Sequence, residues 1–313
     1  MMLTRMVINV KNVGITGHIR PDGDCVGSCM ALYNYIISNY EDICVDVYLE
    51  DVGEEFNFIT NIDKVKKEPL DKIYDVFVVL DCSDLDRIAP FRKCYDNAKS
   101  TVCVDHHISN LNYADKNIVK PDASSCAQVL FGLLDESKIN KAVAECIYIG
   151  IIHDTGVFKY SSTSKETMEI AGKMMEHGID FTSIIDNSFY MRTYAQTKIL
   201  GKAIGNSKLL CDDKIIASYI DFEHMEECGV NNKQLGGVVE QLRLTNCVEV
   251  AAFIYQVNID EYKVSLRSKS IVDVSTIAMK FGGGGHIRAA GFNMKGTKES
   301  IFETLVEEIA KQL

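Results

Sequence analysis

Three short apolar runs in the first half of the chain end abruptly in groups that a buried strand does not tolerate. "NVGITG" (12–17) runs into "HIRPDGD", "YDVFVVLD" (74–81) into "CSD", and "STVCVD" (100–105) into "HH". Amphipathic helical patterns separate the runs, and this alternation specifies a parallel α/β sheet. In open sheets of that class, groups just past the carboxyl ends of the strands face one crevice. His18, Asp22 and Asp24 after the first run, Asp81 at the end of the second, and Asp105, His106 and His107 at the third are therefore expected to converge. Asp154, in "HDTGVF", closes an apolar helical segment and can join them.

The rest of the chain is consistent with this plan. "ICVDVYLE" (43–50) reads as another strand; 26–38, 124–137 (with a serine N-cap signal) and 141–154 read as helices. Residues 164–205 look wholly helical and lack proline, as suits a connector. Beyond about residue 205 the texture changes. A hairpin is expected to turn on Asp212 and Asp213, followed by a strand pair over 247–257 and 262–268. A helix over 273–281 then leads into "GGGGH", and a C-terminal helix closes the chain. The expected organisation is an α/β domain with a parallel sheet (1–190), a helical connector (191–207), and a smaller α/β domain with a mixed sheet (208–313). The boundary falls between 190 and 208.

Composition narrows the function. Apolar residues make up 47% and charged residues 25% of the 313, which is ordinary for a globular protein. No apolar run approaches the roughly 18 residues of a membrane span, and "MMLTRMVINVKNVGITGH" lacks the apolar core of a secretion signal. The eleven cysteines form no C-x-x-C pair, so reduced thiols in a cytoplasm are expected, with Cys25 and Cys29 packing at helical spacing. The net charge is −11, which disfavours a grip on long nucleic acid. A small phosphorylated substrate, met by local positive charge or metal ions, is compatible with it.

Taken singly, Asp22 and Asp24 in "PDGD" are turn residues, and His153, His177 and His224 are core or surface groups. The set of four clusters at corresponding places in a βα pattern is different. Carboxylates mixed with imidazoles suit Mn²⁺, Fe²⁺, Co²⁺ or Zn²⁺. The predominance of carboxylates makes Mn²⁺ the first choice, with Mg²⁺ or Co²⁺ as alternatives. Five or six ligands exceed one tetrahedral ion but serve two divalent ions sharing a carboxylate, a device for displacement at phosphorus.

"GHIRPDGDCVGS", "VVLDCSD", "VDHHISN" and "GIIHDTGVFKY" resemble the four successive motifs of the DHH phosphoesterases. The resemblance implies that His18 and Asp22 hold one metal, that Asp24, His106 and Asp154 hold a second, and that Asp81 bridges them. It also implies catalytic roles for Asp81, for Asp105 in support, and for His107 facing the substrate phosphate. "VSLRSK" and "KFGGGGHIRAAGF" resemble the DHH-associated domain, implying substrate contacts from Arg267, Ser268, Gly282, Gly283, Gly284, Gly285 and His286, with Arg288 at a variable spot. A bare glycine run would otherwise be a flexible loop. Two features depart from the family pattern: a short segment before His18, and Gln128 where glutamate is common.

The resemblance spans essentially the whole chain, in the domain order of short bacterial oligoribonuclease-type members. It implies hydrolysis of short oligoribonucleotides, chiefly dinucleotides, to nucleoside 5′-monophosphates, and of 3′-phosphoadenosine 5′-phosphate. A cyclic-dinucleotide (cyclic di-AMP) phosphodiesterase is the alternative that shares these motifs. A nucleotide sensor without turnover is a second, and "GGGGH" argues against a pyrophosphatase. No membrane partner is expected, and a homodimer is left open.

Overall fold

A computed structural model describes residues 10–313. The expectations placed on the start of the chain, including "MVINV", fall largely on residues 1–9 and lie outside the described residues. Two compact units divide between Met191 and Arg192.

The first unit is built on five parallel strands: β1 (Asn12–Thr16), β2 (Cys44–Tyr48), β3 (Val76–Leu80), β4 (Thr101–Asp105) and β5 (Lys116–Val119). They lie in the order β2-β1-β3-β4-β5. Alternation along β3 explains its uninterrupted apolar run. Val76, Val78 and Leu80 enter one core, and Phe77 and Val79 the other. The first core is closed by α1 (Gly23–Asn39), α3 (Cys126–Phe131) and α4 (Lys141–Asp154). The second lies under Phe91 and α2 (Arg92–Asp96), through Cys94 and Tyr95. Each fully buried aromatic or aliphatic side chain contributes roughly 1.5–3 kcal/mol.

Helices α1 and α4 meet where neither carries a side chain. A Cβ on Gly27 would stand 2.6 Å from Cys146 O, and one on Gly150 would stand 2.6 Å from Asp24 Oδ1. The order 2-1-3-4-5 puts the topological switch between β1 and β3, where chain leaves the sheet in opposite directions and opens a crevice. His18 and Asp81 follow these two strands.

Two expectations for this unit are corrected. The helix expected over 124–137 ends at Phe131, because Leu133 and Leu134, adjacent in sequence, both turn inward. The stretch 164–205 is broken into α5 (Lys165–Glu176), α6 (Phe181–Ile185) and a wide turn over Asp186–Tyr190 before the next helix. Gly178 at φ +70° ends α5, and Asp180 caps α6.

The second unit begins with α7 (Tyr194–Gly205) and carries a six-stranded mixed sheet in the order β10-β11-β9-β8-β7-β6. Its strands are β6 (Lys208–Leu210), β7 (Ile215–Ile220), β8 (Val250–Asn258), β9 (Glu261–Ser268), β10 (Gly284–His286) and β11 (Ala289–Lys295). The β6–β7 hairpin turns through Cys211, Asp212 and Asp213, all at positive φ. β7 and β8 are parallel, so the chain crosses over between them through α8 (Phe222–Cys228) and α9 (Val238–Arg243). Ile199 and Ala203 of α7 share one core with α8 and α9; α10 (Val274–Lys280) and α11 (Lys298–Ala310) close the opposite face. No helix among the described residues is long and apolar enough to cross a membrane.

Candidate metal centre

The segment after β1 turns into α1 on Asp22, whose Oδ1 accepts from the N–H groups of Asp24 and Cys25, both at 3.1 Å. Its other oxygen, Oδ2, lies 3.7 Å from His18 Nε2. The His18 ring is fixed by Nδ1 at 2.8 Å from Ile19 O, which leaves Nε2 to the crevice. Asp24 is wholly buried. Its carboxylate accepts from the backbone of Cys126 (2.6 Å) and Ala127 (3.0 Å) at the start of α3, and from Ser28 Oγ (3.2 Å).

Asp81 stands at the centre. Oδ2 is 3.5 Å from His18 Nε2, and Oδ1 is 3.6 Å from His106 Nε2 and 3.5 Å from His107 Nδ1. Oδ1 is buried and has no hydrogen-bond partner among the described residues. A buried carboxylate oxygen without a donor is expensive unless a cation meets it. His106 Nε2 also faces Asp154 Oδ2 at 2.9 Å and Asp24 Oδ2 at 3.8 Å, while Nδ1 rests on Ala123 O at 3.3 Å. His107 differs: its Nδ1 donates to Asp105 Oδ1 at 2.7 Å, which leaves Nε2 as the other polar atom of the ring. Asp105 is buried and also accepts from the N–H groups of His106 and His107.

Among the described residues the ligand atoms fall into three sets, His18 with Cys25 and Asp81, Asp81 with His106 and His107, and Asp24 with His106 and Asp154; Asp81 links the first two and His106 the last two. This donor set fits divalent cations bound through nitrogen and oxygen. Cys25 Sγ lies with the first set; burial and the Cys29 thiol beside it push its pKa well up.

In the second unit, Ala289 of β11 is paired with Arg267 on one side and His286 on the other. Arg267 and His286 thus share a face across three strands. Arg267 is already engaged: Nε and Nη2 donate to Glu240 Oε1 at 2.9 and 2.7 Å. The glycine run is ordered rather than a loose loop. Gly282 leaves α10 at φ +74°, and a Cβ on Gly283 would meet Gly291 O at 2.3 Å. Gly284 and Gly285 pair in β10. Ser268 is buried beside Arg267, and its hydroxyl is turned to Ile287 O at 3.4 Å. Arg288 is a brace, since its guanidinium donates to Val272 O at 2.8 Å and to Ser270 O.

Residues 12–151 match the DHH family N-terminal domain, and residues 191–313 match the DHHA1 domain. The chain belongs to the DHH family.

Several curated relatives match this chain over nearly their whole length. A probable bifunctional oligoribonuclease and PAP phosphatase NrnA of Streptococcus mutans is 27% identical over 95% of this chain and 93% of its own. The bifunctional oligoribonuclease and PAP phosphatase NrnA of Bacillus subtilis is 26% identical over 95% and 94%. Among solved structures, an exopolyphosphatase-related protein from Bacteroides fragilis superposes with a TM-score of 0.89 at 23% identity, over 99% of this chain and 94% of that one, which establishes the shared fold.

Electrostatics of the DHH domain follow from the crowding of carboxylates. Burial opposes charge on His18, yet Asp22 and Asp81 outweigh it and push its pKa up to about 11. Burial likewise opposes charge on His106, and Asp154, Asp24 and Asp81 raise it to about 10. Burial, then the neighbouring Asp81 and Asp154 charges, hold Asp24 well above the usual carboxylate range. Burial also raises Asp81, with His18 opposing. Asp105 goes the other way: despite burial, His107 and Asn110 keep it low, and it in turn raises His107.

His153 is a core group. Its ring packs between Phe56 and Phe189, and burial lowers its pKa to about 4. Gln128 is absorbed into a polar knot, its Oε1 accepting from Ser124 Oγ at 2.7 Å and Thr167 Oγ1 at 2.9 Å.

Sequence reasoning missed Asn110, Tyr113 and Glu240. Asn110 Nδ2 donates to Asp105 Oδ2 at 2.6 Å, and the only local signal for it is its place in "DHHISN".

Proposed function

We propose that this chain is a cytoplasmic phosphoesterase, dependent on two divalent ions, Mn²⁺ by preference. It would cut short oligoribonucleotides to nucleoside 5′-monophosphates and release phosphate from 3′-phosphoadenosine 5′-phosphate. The observation that carries this reading is Asp81, whose buried, undonated Oδ1 faces His106 and His107 while Oδ2 faces His18. The names of the full-length relatives supply the substrate class.

His18, Asp22 and Asp81 would hold one ion; Asp24, His106, Asp154 and Asp81 the other. Divalent ions there would stabilise charge on phosphoryl oxygens and acidify the attacking water. Asp105, bonded to His107 Nδ1, orients that imidazole and raises its pKa, which favours the form whose Nε2–H can donate to a phosphoryl oxygen as negative charge develops. In the DHHA1 domain, Arg267 would trade part of its bond to Glu240 for a substrate phosphate. The flat Ala289, Gly291 and Gly284 surface beside it admits a base or sugar closely.

The test gives Mn²⁺-loaded protein equimolar linear diadenylate, cyclic di-AMP and 3′-phosphoadenosine 5′-phosphate, with an EDTA control. Loss of the linear dinucleotide and the bisphosphate, abolished by EDTA, is the expected result. Preferential loss of the cyclic compound would keep the chemistry and replace the substrate. Tight binding without turnover of any of the three would overturn the enzymatic reading.

A further inference from the structure

Asp81 sits at φ +54°, in the left-handed region where a non-glycine residue persists only if its surroundings hold it. On one side its N–H is bonded to Val104 O at 3.0 Å. On the other, the carbonyl of the next residue, Cys82, accepts from Tyr113 OH at 2.7 Å and Asn110 Nδ2 at 3.1 Å, with the weaker Cys103 thiol at 3.9 Å. Leu111 N–H adds a bond to Ser83 O at 3.1 Å, zipping the segment after β4 to the segment after β3. Tyr113 is itself fixed. Its ring meets Tyr95 edge-on at 6.2 Å between centroids, and its backbone carbonyl accepts from Tyr95 OH at 2.9 Å.

We infer that Tyr113 is a positioning residue for Asp81. Pins at Asp81 N–H and Cys82 C=O leave the backbone between them little room, so the carboxylate stays between His18 and the His106–His107 pair. Without the phenol hydroxyl, residue 81 relaxes toward an unstrained conformation and its two oxygens no longer serve both sides. Tyr113 supplies no ligand atom itself; its contribution is the angle at which Asp81 is presented. The inference rests on the metal-dependent reading above.

The test compares wild type, Tyr113→Phe and Tyr74→Phe. The last removes a buried phenol hydroxyl of the same unit, 2.9 Å from Asp46, without touching Cys82. Each purified protein is titrated with Mn²⁺ alone, its loaded form is examined by low-temperature EPR for coupling between paired ions, and its melting is followed in EDTA. Wild type and Tyr74→Phe are expected to bind two ions with a coupled signal. Tyr113→Phe should lose on the order of tenfold or more in affinity, and most of the coupling, the scale of removing an orienting partner. Tyr113→Phe with wild-type affinity and coupling would overturn the inference alone, even if its melting temperature fell. Wild type that binds no Mn²⁺ would overturn the inference together with the metal-dependent reading.

Discussion

His106 presents Nε2 to Asp154 Oδ2 at 2.9 Å while its Nδ1 rests on Ala123 O. A proton on Nε2 therefore occupies the place a cation would take. His18 and His106, raised from 6.5 to about 11 and about 10, are both charged at neutral pH in the metal-free protein. Their stabilising contribution is complete below the unfolded value and is lost as pH rises through those folded values. A ligating imidazole must be neutral, so metal binding displaces these protons. Mn²⁺ affinity should rise between roughly pH 6 and 9, by up to about tenfold per pH unit for each proton released. Calorimetry in buffers of different ionisation enthalpy checks this. A binding heat independent of the buffer would contradict it.

Asp81→Asn keeps the shape of the side chain and removes the charge that both ion sites would share. Losing a group that merely orients a ligand costs about 10–100-fold; losing a shared ligand should exceed about 10²-fold in turnover. In the metal-free protein burial raises the Asp81 pKa while His18 opposes, so the variant relieves a buried charge and also takes a partner from His18. Melting curves with and without Mn²⁺ should show the metal-induced upshift in wild type and its loss in the variant.

Arg267→Ala removes the charged fork facing Glu240 and leaves every residue of the first unit unchanged. Hydrogen bonds to charged groups contribute about 1.5–3 kcal/mol, roughly 10–150-fold in KM for a phosphorylated substrate. Mn²⁺ affinity should be unchanged. Glu240→Gln weakens the carboxylate that competes for Arg267 and should lower KM. Equal KM values across the three proteins would remove Arg267 from the substrate site.

Gly150→Ala looks favourable on helix propensity, by about 1 kcal/mol. In place, the added methyl would meet Ala127 Cβ at 2.5 Å and Asp24 Oδ1 at 2.6 Å. Overpacking of this kind costs about 1–3 kcal/mol, so melting in EDTA should fall. Mn²⁺ affinity should fall too, because Asp24 has to move. Unchanged binding would show that α4 can yield without disturbing Asp24.

The first unit was readable because its strands are buried on both faces and stop at charged residues. "VFVVLD" and "TVCVDHH" mark their own ends, and the position of their polar termini follows from the class of sheet. β5 was missed because "KNIV" is four residues long and polar at its start, as an edge strand can be. The parallel pairing of β7 with β8 left no local sign, since a hairpin announces itself through its turn and a crossover does not. Asn110, Tyr113 and Glu240 were invisible for another reason. What each does is defined by a partner on a different segment: Asp105 and Cys82 for the first two, Arg267 for the last.

The positive φ at Asp81 makes that position answer two demands at once. Glutamate would supply the same charge, but its longer side chain lacks aspartate's tolerance of a left-handed backbone. Asparagine would accept the backbone and forfeit the charge; glycine would accept it and offer no side chain. Aspartate alone combines both, so selection on this chain's chemistry and selection on its local geometry act on the same codon. Drift at position 81 would be blocked from two directions, while the clamp behind it, built from a hydroxyl and an amide, has more than one way to be rebuilt.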